Sequence, residues 1–178
     1  MLPWSAHSQT THLISDGQFI HFTGSMRNLR VIPYQLYSNK DSREFHAESI
    51  VDIPPICLRD IQQGDLSRMQ LPALKVTGKQ FGIKVSVRIS IRPYNTHLNK
   101  QITIRRSTAS SEYVDTYKLL EKIARLFLQF MEHVQSDLNI ANEWGLFPTG
   151  RINVDRIFLL AIIRVAYGSI QPVFGTDV

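Results

Sequence analysis

Between Leu66 and Ser111 the chain contains no aspartate and no glutamate. The same stretch holds nine basic side chains: Arg68, Lys75, Lys79, Lys84, Arg88, Arg92, Lys100, Arg105 and Arg106. Residues 1–65 and residues 112–178 each carry a net charge of −2, so the overall +5 is a +9 segment set between two mildly acidic ones. An ordinary protein surface mixes both signs. A block of one sign predicts an anionic partner, either a membrane surface or a nucleic acid, and does not choose between them. The competing reading is the wet face of an antiparallel sheet, where Lys and Arg are common. The missing acids favour the first.

Other absences narrow the function further. A single cysteine, Cys57, excludes an internal disulfide framework and a cysteine-based zinc site. No apolar run approaches the roughly eighteen residues of a membrane span, so membrane contact is expected to be peripheral. The start, Met1 to His7, has no basic n-region, no apolar h-region and no glycine at position two. It therefore predicts neither a signal peptide nor N-myristoylation. There is no GxGxxG and no GxSxG, and Thr77-Gly78-Lys79-Gln80 lacks the rest of a P-loop. His7, His12, His21, His46, His97 and His133 show no metal-ligand spacing. No acid pair stands in a register that suggests general acid/base work. The expectation is a protein without catalytic site, cofactor, metal or small-molecule substrate.

The clearest element is a strand inside the basic stretch. Ile83, Val85, Val87, Ile89 and Ile91 alternate with Lys84, Ser86, Arg88, Ser90 and Arg92. A period of two puts the apolar set on one face and lines up Lys84, Arg88 and Arg92 on the other, roughly 13 Å apart. The turn-rich segment 93–100 leads to a second alternating run, 101–105, with Ile102 and Ile104 inward and Arg105 outward. A hairpin is expected. Upstream, Asp16-Gly17 between apolar runs predicts another hairpin. Residues 29–37 read as a strand that Pro33 confines to an edge or a bulge. Residues 45–53 alternate as a half-buried strand, and residues 56–74 read as irregular with one helical turn near Leu58–Gln62.

Downstream the period changes. Tyr113, Tyr117, Leu120, Ala124, Phe127, Met131, Val134 and Leu138 step by four and three, which predicts a long helix capped by Ser111 with Glu112 and Asp115 in its first turn. The run Val154 to Tyr167 predicts a second, wholly apolar helix capped by Asn153 and stopped by Gly168, with an irregular tail beyond. Trp144, Leu146 and Phe147 lie in a Gly- and Pro-rich loop. They either fold back onto the core or insert into a lipid interface or partner groove. Residues 1–11 read as a flexible arm whose Leu2 and Trp4 either fray or dock on a second copy. The order predicts an α+β fold: a single domain over 12–178, strand-rich over 12–106 and helical over 111–168.

The alternating basic strand Ile83-Lys-Val-Ser-Val-Arg-Ile-Ser-Ile-Arg-Pro93, the long helix and the second helix together resemble the matrix proteins of negative-strand RNA viruses. The rhabdoviruses, particularly those of plants, are nearest in size. The chain departs from animal-virus relatives in having no Lys or Arg before Arg27 and no PPxY motif, since Pro54-Pro55 is followed by Ile56-Cys57. Tyr117-Lys-Leu-Leu120 matches a YxxL pattern but falls on the expected core face of the helix. The resemblance implies a structural protein of the virion and host cytoplasm that acts in virus assembly and budding. Such a protein self-associates and bridges an anionic membrane and the nucleocapsid. The alternative expectation is a nucleic-acid-binding viral accessory protein, such as a silencing suppressor or movement factor. RNA-binding modules carry glycine and aromatic signatures on a strand, and strand 83–92 has no aromatic residue.

Overall fold

A computed structural model describes residues 19–21, 28–37, 48–51, 53–66, 69–75, 81–92, 94, 96–107, 112–134 and 154–177. Its centre is a hairpin that the sequence pattern misassigns. The run Ile157-Phe-Leu-Leu-Ala-Ile-Ile-Arg-Val-Ala166 forms strand β7 (Ile157–Ala166), and the expected irregular tail forms β8 (Ser169–Asp177). The two pair antiparallel across Tyr167-Gly168. Gly168 is the expected stop, but of a strand: it takes the left-handed backbone (φ +68°) that closes the turn. A helix was expected at 154–167 because the run is apolar at nearly every position. The structure buries both faces of β7, which also produces a run without period. Ile157, Leu159 and Ile162 belong to the main core, whereas Phe158, Leu160, Ala161 and Ile163 belong to a second cluster. A bulge between Leu159 and Ala161 sends Leu160 and Ala161 to the same cluster.

Around this hairpin lies one mixed sheet of eight strands. Strands β3 (Glu48–Val51) and β4 (Ile56–Cys57) pair with the free edge of β7. On the other side, β8 meets two neighbours in succession. Its start pairs in parallel with β5 (Lys84–Ser90) through Ser86↔Ser169 and Val87↔Ile170. Its end pairs antiparallel with β2 (Asn28–Val31), which pairs in turn with β1 (Phe19–His21). The remaining strand, β6 (His97–Thr103), pairs with β5. The expected turn at Asp16-Gly17 lies outside the described residues.

The chain after β2 fills the fork between β8 and β5. Ile32 N–H donates to Phe174 O of β8, and Pro33 O then accepts from Arg92 N–H beyond β5. Tyr34 bridges Ile91, and Gln35 N–H donates to Ser90 O. Pro33 was expected at an edge or a bulge. It sits instead where the segment changes partner from one strand to another, a place where a missing N–H is tolerated.

The long helix stands as α2 (Thr116–Val134), starting a turn later than expected. Asp115 is the cap: its Oδ1 accepts from Lys118 N–H at 2.8 Å. Ser111, the expected cap, and residues 135–138 lie outside the described residues. Thr116 Oγ1 donates to Pro72 O and Tyr117 Oη to Leu66 O, so the preceding loop is tied to the first turn. Tyr117, the YxxL tyrosine, packs against the core. Leu119, Leu120, Ile123, Phe127 and Phe130 are fully buried against the sheet, and Phe127 meets Phe174 of β8 with ring centres 4.5 Å apart. A short helix, α1 (Leu58–Gln63), falls where one helical turn was expected and buries Leu58 and Ile61 in the same core. The fold is α+β as expected, with one long helix rather than two. Of the three elements that carry the resemblance, the basic strand and the long helix are present and the second helix is a strand.

Candidate anion-binding face

The basic strand forms as the alternation predicts. Val85, Val87, Ile89 and Ile91 are buried, while Lys84 and Arg92 are exposed and Ser86, Arg88 and Ser90 are half-buried. Its partner begins earlier than expected. Residues 97–100, read as turn, are strand, in the register Lys84↔Thr103, Arg88↔Asn99 and Ser90↔His97. Directly paired residues share a face. The outer face of the hairpin therefore carries Lys84, Ser86, Arg88 and Ser90 beside Thr103, Gln101, Asn99 and His97. His97 Nδ1 lies 2.8 Å from Ser90 Oγ across the pair.

Arg88 is the most constrained cation of this face. Its guanidinium lies 3.6 Å from the centre of the Tyr37 ring, and its Nε donates to Ser169 Oγ at 3.4 Å. Tyr37 is held in turn by Gln171, a side chain only 1% exposed. Gln171 Oε1 accepts from Tyr37 N–H at 2.9 Å and its Nε2 donates to Gln35 O at 2.8 Å. The amide stands in for a strand in the fork, where β8 has left β5 and the Gln35–Tyr37 backbone would lack a ladder. A guanidinium stacked on one aromatic ring and fixed at Nε loses less side-chain freedom when it takes a ligand.

The nine basic residues do not form one surface. Lys100 pairs with Val87 and so belongs to the helix-side face of the hairpin, opposite Lys84 and Arg88, although it is exposed. Arg105 was expected outward beside Gln101 and Thr103. It is buried, 4% exposed, with its guanidinium 5.8 Å from the Tyr113 ring, at a bridge between residues 105 and 113. The reason is a local irregularity: Ile104 N–H and Arg105 N–H both donate to Ile83 O, which breaks the alternation after β6. Lys75 is exposed beside β3, where its N–H donates to Ile50 O. Arg106 is exposed beyond β6. Arg68 and Lys79 lie outside the described residues. So do the possible insertion residues Trp144, Leu146 and Phe147 and the possible self-association residues Leu2 and Trp4.

Sequence reasoning missed Tyr37, Tyr167, Ser169 and Gln171. Tyr167, at the tip of the β7–β8 turn, is 84% exposed. The following residue, Gly168, accepts from Ser86 N–H at 2.8 Å through its carbonyl, which sets the turn against the middle of β5. None of these residues is near the basic strand in sequence, and no local pattern announces them. Among the described residues no group of three or more His, Cys, Asp or Glu is placed to hold a metal ion, and no helix is long and apolar enough to cross a membrane. Comparison with protein-family models, curated proteins and solved structures finds no match for this chain.

Proposed function

We propose that this is a non-catalytic, matrix-type structural protein that binds an anionic partner through its basic stretch. In this reading it self-associates and bridges an anionic membrane surface and a ribonucleoprotein. The observation that carries it is the run from Leu66 to Ser111, nine cations with no acid, in which Lys84 and Arg88 share the outer side of β5 and the exposed Arg92 follows two residues past its end. Each cation near an anionic bilayer contributes about 1 kcal/mol. Three of them give about 3 kcal/mol, weaker than a millimolar Kd. A single copy would not stay bound, whereas an array of copies would, through effective concentration. Self-association is therefore part of the proposal.

The test is co-flotation of the protein with vesicles made with and without phosphatidylserine, at two salt concentrations and after nuclease treatment. The expected result is flotation only with the anionic lipid, lost at high salt, together with concentration-dependent oligomers on sedimentation. Failure to float, with nucleic acid co-purifying before nuclease, would replace this reading with that of a nucleic-acid-binding accessory protein. A monomer at high concentration and low salt would count against the structural role.

A further inference from the structure

We infer that the outer face of β5 is a binding track for single-stranded nucleic acid, with Tyr167 as the stacking residue, Lys84 and Arg88 on the phosphates and Arg92, just past the end of the strand, continuing the line. The inference rests on the reading that the basic stretch binds an anion, and it assigns this face to the ribonucleoprotein side of the proposed bridge rather than to the membrane.

Proteins that bind single strands without sequence preference combine a line of cations with aromatic rings on which unpaired bases stack. The strand itself has the cations and no aromatic residue. The fold supplies the rings from elsewhere. Tyr37 reaches Arg88 from the segment in the fork, and the β7–β8 turn places Tyr167 one residue from the carbonyl that Ser86 N–H donates to. Ser86 lies two residues from both Lys84 and Arg88, roughly 6.5 Å along the strand in each direction. Ser169, which accepts from Arg88 Nε, is two residues from Tyr167. Tyr167 is therefore beside the cation line, and it is 84% exposed.

The remaining side chains of the face fit a polynucleotide better than a bilayer. Ser86, Ser90, His97, Asn99, Gln101 and Thr103 are all hydrogen-bonding groups, and none offers the apolar surface that enters a lipid interface. From Lys84 to Ser90 the strand covers roughly 20 Å, and Arg92 lies two residues beyond its end. That length suits about four nucleotides, the lower end of single-strand site sizes. Tyr37 has a different part. Arg88 covers its ring, so it orients the cation, and Tyr167 is the ring that meets a base.

The experiment is fluorescence anisotropy with a fluorescein-labelled oligouridine of twelve nucleotides, on the full chain, at several salt concentrations. Wild type is expected to bind with affinity that falls as salt rises. Tyr167→Ala should weaken binding about tenfold without changing the salt slope, because stacking releases no counterions. Tyr167→Phe should bind as wild type. Unchanged far-UV dichroism of both variants checks that the exposed substitution leaves the fold alone. A duplex of the same length should bind more weakly than the single strand. Equal affinity of Tyr167→Ala and wild type, or duplex binding as tight as the single strand, overturns the inference and leaves the anion-binding reading in place. Flotation on anionic vesicles without oligouridine binding does the same and assigns the face to lipid. If neither probe binds, both the inference and the reading it rests on fall.

Discussion

The guanidinium of Arg88 stacks on the ring of Tyr37 at 3.6 Å, joining residues fifty-one positions apart in the chain. A half-buried cation–π contact of this kind is worth about 1 kcal/mol. A double-mutant cycle with Arg88→Ala and Tyr37→Ala, followed by urea unfolding, should give a coupling of that size. Tyr37→Phe should keep most of it, since the ring and not the hydroxyl meets the cation. Additive single effects would mean that the stack contributes nothing to the folded state.

Gln171 is the support beneath that stack. It accepts from Tyr37 N–H and donates to Gln35 O while almost wholly buried. Gln171→Ala would leave one backbone donor and one backbone acceptor without their partner, at about 1–3 kcal/mol each. Gln171→Glu should be worse at neutral pH, because a carboxylate accepts but cannot donate to Gln35 O. Both variants should lower the thermal midpoint, with Gln171→Glu the lower. An unchanged midpoint for either would show that the 35–37 segment does not depend on this amide.

Where a residue's environment on the two faces differs, the sequence announces the element. β5 has a core face and a wet face, so its alternation reads directly, and α2 has one buried stripe at helical spacing. β7 is buried on both faces and leaves no period to read. β8 is concealed for another reason: Pro172 and Gly175 argue against a central strand. Pro172 falls between the two ladders that β8 makes, the one to β5 at residues 169–170 and the one to β2 at 175–177. Gly175 leaves the room that β2 and β7 need. Of the candidate face, the cations of β5 were legible. The side chains that position Arg88 come from residues 37, 169 and 171, and only the topology brings them there.

Two glycines of the β7–β8 hairpin should respond to substitution for different reasons. A Cβ on Gly175 would lie 2.7 Å from Leu160 Cδ1 and 3.2 Å from the Arg30 carbonyl oxygen. The leucine can turn aside, but the carbonyl belongs to the β2 ladder. Gly175→Ala should therefore cost about 1–3 kcal/mol by overpacking. A Cβ on Gly168 meets nothing within 4 Å, so the cost of Gly168→Ala is conformational, about 1 kcal/mol for the left-handed backbone. Gly168→Asn should recover part of it, because asparagine tolerates that region, whereas no such rescue is expected at Gly175. Chemical denaturation of Gly175→Ala, Gly175→Asn, Gly168→Ala and Gly168→Asn separates the two causes.

The division of the basic residues between two faces gives the sharpest expectation for binding. Neutral substitutions Lys84→Gln, on the outer face, and Arg92→Gln, just past the end of β5, remove cations without introducing repulsion. Each should weaken single-strand binding and reduce the salt slope by about 0.7, the value for one lost phosphate contact. Lys100→Gln removes the same charge from the helix-side face and should leave the slope unchanged, since its strand partner is Val87 and not Arg88. Arg105→Gln should act on stability instead, because that guanidinium is buried near the Tyr113 ring. Its loss should lower the unfolding free energy by an amount typical of a disrupted buried polar group, about 1–3 kcal/mol. Salt-titrated anisotropy and urea unfolding of the four proteins would distinguish a directional track from a diffuse positive field. Equal slope losses for Lys84→Gln and Lys100→Gln would favour the diffuse field, because long-range attraction does not depend on which side of the sheet a charge occupies.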